Sequence, residues 1–170
     1  MPQNNGDLLG RKRKVKPLEI YKTVKELETH DIYKLYENRG IKIVHNPELF
    51  THSSADARII TDIFGNTTVF LRMRTGETPW FEEFVLWHEF GHFETGGLAF
   101  KPQAFNSETI RKQEELSQNI FAFFGLLYSP RGHQGSDGSF ERLGIPESVL
   151  QTVMDALTSD QEFSEYVKRK

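Results

Sequence analysis

The sequence predicts an α+β fold, in which a small three-stranded sheet packs on a central helix with further helices around it. Three observations carry that expectation: short β-rich runs confined to residues 41 to 73, apolar residues recurring at spacings of three and four on both sides of them, and a length that suits one domain. At 170 residues the chain can bury roughly 70% of its unfolded surface and needs no staples. Cysteine is absent, which removes thiol catalysis, thiolate metal sites and disulfides, and fits a reducing compartment. Apolar residues make up 37% and charged residues 26%, with a net charge of −3, so nothing global points to nucleic acid or to an acidic substrate. No signal-peptide core and no run of about 18 apolar residues occurs, and a cytoplasmic, unanchored protein is expected.

Residues 1–16 read as a flexible basic arm, because Arg11-Lys12-Arg13-Lys14-Val15-Lys16 places five cations in six positions. Such a run is usually a solvated tail, and direct nucleic-acid binding through residues 11–16 is the minor alternative. The domain proper is expected over residues 17–170. Leu18, Ile20, Tyr21, Val24, Leu27, Ile32, Leu35 and Tyr36 predict helix to Asn38, broken near Thr29-His30-Asp31 and stopped at Gly40. Ile41 to His45 alternates like a strand. Ala57 to Phe64 and Thr67 to Met73, joined at Gly65-Asn66, read as a hairpin beside it.

Pro79 to Glu94 reads as the central helix, with Thr78 as N-cap and Glu82 and Glu83 in the first turn. By helical angle Phe81, Phe84, Val85, His88 and His92 share a face, expected to be the buried one. Gly91 costs roughly 1 kcal/mol relative to Ala inside a helix, so another backbone is expected to pass close there. A second long helix is expected from about Glu108 to Tyr128, with Ser107 as N-cap and Ser129-Pro130 as stop. Residues 131–170 form a helical extension after a Gly- and Ser-rich loop, one of its helices opened by Pro146.

The chemistry concentrates in His88-Glu89-Phe90-Gly91-His92. On a helix the two histidines stand one turn apart and can offer two imidazole nitrogens to one metal. Glu89 lies about 100° round the axis, where a carboxylate can take a proton from water at the metal's open position. A catalytic zinc needs a third protein ligand. The metzincin arrangement is excluded, since Thr95 and Leu98 stand where its glycine and third ligand belong. Glu108, Glu114 and Glu115 on the following helix remain. Glu108 sits at the first turn, where the helix dipole alone explains a carboxylate, and Glu114 is expected to point to solvent. Glu115 lies at the edge of the apolar face, in line with Asn119, which is placed to orient a ligand histidine. The expected site is thus His88, His92 and Glu115 as zinc ligands, Glu89 as general base and Asn119 behind a histidine. His30, His45 and His52 lack a partner pattern and are expected to be structural. Tyr128 and His133 are the candidates for stabilising an oxyanion.

Taken together, His88-Glu89-Phe90-Gly91-His92 and the run Glu115-Leu116-Ser117-Gln118-Asn119-Ile120-Phe121-Ala122 through Tyr128-Ser129-Pro130 resemble the ImmA/IrrE family of metallopeptidases, over roughly residues 18 to 130. The second motif of that family runs E-x-x-A-N-x-F-A-x-x-L-L-x-P. This chain departs from it at Gln118, where a small residue is usual, and at its Tyr128-Ser129-Pro130 end, which has one more residue between the leucine pair and the proline. The resemblance implies a zincin-like, gluzincin-like domain with the HExxH helix at its centre and a helix-turn-helix transcriptional repressor as protein substrate, cleaved to relieve repression of a mobile element, prophage or stress regulon. No helix-turn-helix pair is evident in this chain, so the repressor is expected to be a separate protein. The rival reading is a regulator that keeps the fold but only binds a repressor or DNA, for which an intact Glu89 has no use. A purely structural zinc site is disfavoured, since such sites use four protein ligands, often cysteines.

Overall fold

The computed structural model describes residues 15–48, 57–72, 79–95, 108–131 and 145–169. Residues 11–14 of the basic arm, together with His52, Thr78, Ser107, His133 and the loops around them, lie outside the described residues. The apolar periodicity from Leu18 to Asn38 is divided between two helices, α1 (Pro17–Lys25) and α2 (Ile32–Asn38). The break falls where expected. The Asp31 carboxylate accepts from the Tyr33 amide at 3.1 Å and caps α2, while Thr29 Oγ1 accepts from the Asp31 amide. Gly40, at φ +65°, turns the chain out of α2 as the Ile41 amide donates to the Tyr36 carbonyl at 2.8 Å.

Strands β1 (Lys42–His45), β2 (Ala57–Thr61) and β3 (Thr67–Leu71) form one sheet in the order β1-β3-β2. The hairpin is antiparallel, with Ile59 opposite Val69, and β1 runs parallel to β3, with Ile43 opposite the same Val69. β2 ends three residues before the expected Phe64. The cause is Asp62, whose Oδ1 accepts from the amides of Phe64 and Asn66 at 2.8 and 2.9 Å, a turn that competes with continued pairing. Gly65, at φ +84°, completes that turn.

Helix α3 (Pro79–Glu94) is the centre of the molecule and packs chiefly on α4 (Glu108–Tyr128). Trp87, Leu86, Phe90, Phe121 and Ile120 are fully buried between these elements, and the Tyr36 hydroxyl ties α2 to α3 by donating to the Leu86 carbonyl at 2.8 Å. Two glycines let the helices close. A methyl group on Gly125 would collide with the Trp87 indole, and one on Gly91 would strike the Gln118 amide and crowd Phe121. The neighbour at Gly91 is therefore a side chain of α4 rather than a passing backbone, and it is the residue at which the second motif departs from the family pattern. α5 (Glu147–Ser159) packs on α4 through its buried Val153 and Leu157, and α6 (Gln161–Lys168) follows it. The described residues thus form an α+β fold of six helices and one three-stranded sheet. Among them no helix is long and apolar enough to cross a membrane.

Candidate metal centre

α3 is buried on more sides than an amphipathic reading allows. Its innermost residues are Glu83, Leu86, Trp87 and Phe90, with Phe84 and Val85 also buried. His88 and His92 are only partly buried, with side chains 15% and 19% exposed. They share the expected face with the buried Phe84 and Val85, at its more open end. They stand on the wall of a cleft of about 420 Å³ that also takes in Glu89, Glu115, Asn119 and Ala57 at the start of β2.

α4 crosses α3 so that Glu115 faces both histidines. Its Oε2 is 3.4 Å from His88 Nε2, and its Oε1 is 3.9 Å from His92 Nε2. One ligand atom from each of His88, His92 and Glu115 lies within 4.8 Å of the others, and the group could hold a metal ion. Ligands about 2.0 to 2.2 Å from a tetrahedral ion stand roughly 3.3 to 3.6 Å apart, so the group must draw together from its present spacing to close on an ion. The donor set of two imidazoles and a carboxylate suits zinc and leaves a fourth position open.

Asn119, one turn beyond Glu115, orients the ring of His88. His88 Nδ1–H donates to Asn119 Oδ1 at 2.8 Å, which turns Nε2 toward the cleft and Glu115. His92 has a corresponding neighbour that the helical wheel assigned to solvent. Glu114 is 13% exposed, and its Oε1 lies 3.6 Å from His92 Nδ1. Glu115, by contrast, has the more open side chain, 53% exposed. The inward turn of Glu114 follows from the stripe Glu114, Gln118, Phe121 and Gly125, which faces α3. The buried Gln118 and the glycine at Gly125 are the sequence signal that marks this face.

The electrostatics favour the ligand protonation states at His92 and Glu115, whereas His88 holds a proton that a metal would have to displace. Burial, reinforced by the positive His88, pulls His92 down to about 4 against the pull of Glu115, so it is neutral near pH 7. Glu115 is held below the usual carboxylate range by its hydrogen bond with His88, which outweighs the cost of burial. Burial alone would depress His88, but its hydrogen bond with Glu115 and the charges of Glu89 and Glu115 outweigh it and hold the imidazole above its ordinary value. Glu89 is pushed up to about 7 by burial, against the pull of His88 and Arg58. A carboxyl poised near neutrality beside a ligand cluster has the proton affinity that acid–base work calls for.

Other expectations sort by position. His30 is structural: its Nε2–H donates to the Val24 carbonyl at 3.0 Å and its ring stacks on Tyr128. His45 Nε2 sits 3.2 Å from Glu82, away from the triad. Tyr128 stands 13 residues along α4 from Glu115, about 20 Å at the helical rise, and its hydroxyl donates to that of Tyr21 at 2.9 Å. It is therefore no oxyanion donor. No family model matches the chain, and no curated protein or solved structure matches it.

Proposed function

We propose that this chain is a zinc-dependent metallopeptidase of the ImmA/IrrE type that its motifs resemble, acting on a separate helix-turn-helix transcriptional repressor. The observation that carries the reading is the convergence of His88, His92 and Glu115 within 4.8 Å in a cleft that also holds Glu89. Zinc held by these three residues supplies Lewis acidity, polarising a substrate carbonyl and lowering the pKa of a water toward roughly 7.

The rest of the chemistry belongs to the chain. Glu89, in its ionised form, takes a proton from the attacking water as the water oxygen bonds to the carbonyl carbon. It then delivers that proton to the amine nitrogen as the C–N bond breaks. Partial burial of Glu89 keeps bulk water from competing for the transfer. Asn119 fixes the imidazole of His88, so that ligand geometry is set before substrate arrives. β2 is an edge strand whose first residue, Ala57, lines the cleft, and an extended substrate backbone can pair along it and bring its carbonyl to the triad.

The test is co-expression with helix-turn-helix repressors as candidate substrates. A cleaved repressor fragment that disappears with Glu89→Gln is expected. Relief of repression that survives Glu89→Gln overturns the peptidase reading and leaves a regulator that works by binding.

A further inference from the structure

Among the described residues the most exposed large apolar side chains stand at the turn between β2 and β3. Ile63 is 93% exposed and Phe64 83%. Isolated exposed apolar residues are ordinary on a protein surface, whereas two adjacent ones at the tip of a well-built turn call for a cause. The turn is held by its own bonds. Besides accepting from the Phe64 and Asn66 amides, Asp62 accepts from Asn66 Nδ2 at 2.9 Å, its amide donates to the Asn66 carbonyl at 2.9 Å, and the Gly65 amide donates to the Asp62 carbonyl at 3.0 Å. Thr61 and Thr67 share a hydroxyl hydrogen bond of 3.0 Å just below it. All of this chemistry belongs to Asp62, Gly65, Asn66 and the two threonines, residue types suited to turns and strand ends. None of it requires an isoleucine or a phenylalanine, and polar residues at both positions would serve folding as well.

We infer that Ile63 and Phe64 form a docking point for the folded body of the protein substrate, engaged while a segment of that substrate lies along β2. The inference rests on the peptidase reading above and adds how the partner is held. β2 joins the two places: it starts at Ala57 in the cleft wall, forms an edge of the sheet, and runs about 14 Å to Thr61, directly before the tip. A chain paired along this edge therefore brings the part of the substrate that adjoins the paired segment against Ile63 and Phe64. Two side chains cover far less than the roughly 800 Å² per partner that a lasting dimer needs, so the tip holds a partner only together with an adjoining contact, and the strand edge supplies one. This favours the substrate over a second copy of the chain. A bilayer also fits poorly, because residues 61–67 carry a single charge, the Asp62 carboxylate, and no cation to meet anionic headgroups. The matching surface on the substrate is an apolar hollow that takes an aromatic ring. Because the turn already fixes the backbone, little conformational freedom is lost when the tip inserts.

The experiment uses zinc-loaded full-length protein and two substrates: an intact repressor that it cleaves, and a short synthetic peptide spanning the same scissile bond. The double variant Ile63→Ser with Phe64→Ser should lower kcat/KM for the intact repressor at least about tenfold, chiefly through KM, the scale expected for leaving two such side chains unburied. The peptide lacks the folded body and should be cleaved at the parental rate. Both residues are exposed, so zinc content and the thermal midpoint should also stay parental. An unchanged rate on the intact repressor, or an equal loss on the peptide, overturns the docking point. If no repressor is cleaved, p-benzoylphenylalanine in place of Phe64 gives a readout that needs no catalysis. Photocrosslinking to a helix-turn-helix repressor then upholds the docking point and overturns only the peptidase reading. Crosslinking only to a second copy of this chain, no crosslink at all, or flotation with phosphatidylglycerol vesicles that the double variant loses overturns the docking point.

Discussion

Replacing Glu89 with glutamine should make the metal-free protein more stable, and more so as pH rises. In the unfolded chain this carboxyl ionises near its ordinary value of 4.5, whereas in the folded chain burial holds its proton until about 7. Above pH 4.5 the unfolded state therefore carries fewer protons than the native state. Stability falls with rising pH until about 7 and then levels off. At about 1.4 kcal/mol per pH unit, the span from 4.5 to about 7 corresponds to roughly 3 kcal/mol lost at pH 8, and to less than about 1 kcal/mol at pH 5. Glutamine carries no charge to desolvate, so Glu89→Gln recovers that difference. In a domain of this size each kcal/mol moves the midpoint by about 2 to 4 °C. Thermal unfolding of both proteins in excess chelator should show a midpoint gain in the variant that is some 4 to 9 °C larger at pH 8 than at pH 5. Comparing the two pH values cancels whatever glutamine does to packing. A gain that is the same at both pH values would show that Glu89 is not held in a desolvating site, and would remove the physical basis for its role as base.

Four further outcomes follow from the same geometry. Zinc content should be close to one per chain by atomic absorption and should drop strongly in His88→Ala and in Glu115→Ala; unchanged content in either variant removes that residue from the ligand set. Asn119→Ala should weaken zinc affinity about 10- to 100-fold by freeing the His88 ring, so a competition titration with a fluorescent chelator that finds parental affinity contradicts the orienting contact. Gly125→Ala places a methyl 2.6 and 2.7 Å from Trp87 ring atoms that cannot move in a filled core. Overpacking should outweigh the gain of about 1 kcal/mol in helix propensity, for a net loss of roughly 2 kcal/mol in denaturant unfolding, and a stabilised variant would contradict the close helix crossing. Saturation with zinc at a hundred times its dissociation constant should raise stability by about 2.7 kcal/mol, an effect absent when the native state does not bind the ion.

What could be read from the chain alone is what depends on neighbours within a turn or two. His88 and His92 are one helical turn apart, as are Glu115 and Asn119, and these spacings hold wherever the helices pack. Both helices run over the residues that their periodicity and stop signals indicated. The break before Asp31 and the turn at Gly40 are likewise local hydrogen-bond chemistry. Packing between distant segments decided the rest. Whether Glu114 or Glu115 faced inward depended on how α4 crosses α3, and that angle is set by Gly91 and Gly125 meeting Gln118 and Trp87 across the helix pair. The histidines flank a cleft because Leu86, Trp87 and Phe90 take the innermost positions, a choice that no single-helix periodicity contains when nearly every side of the helix is apolar. The parallel pairing of β1 with β3 and the arrival of Pro146 and Val149 beside the ligand cluster are contacts across many residues of chain, and only the folded molecule brings them together.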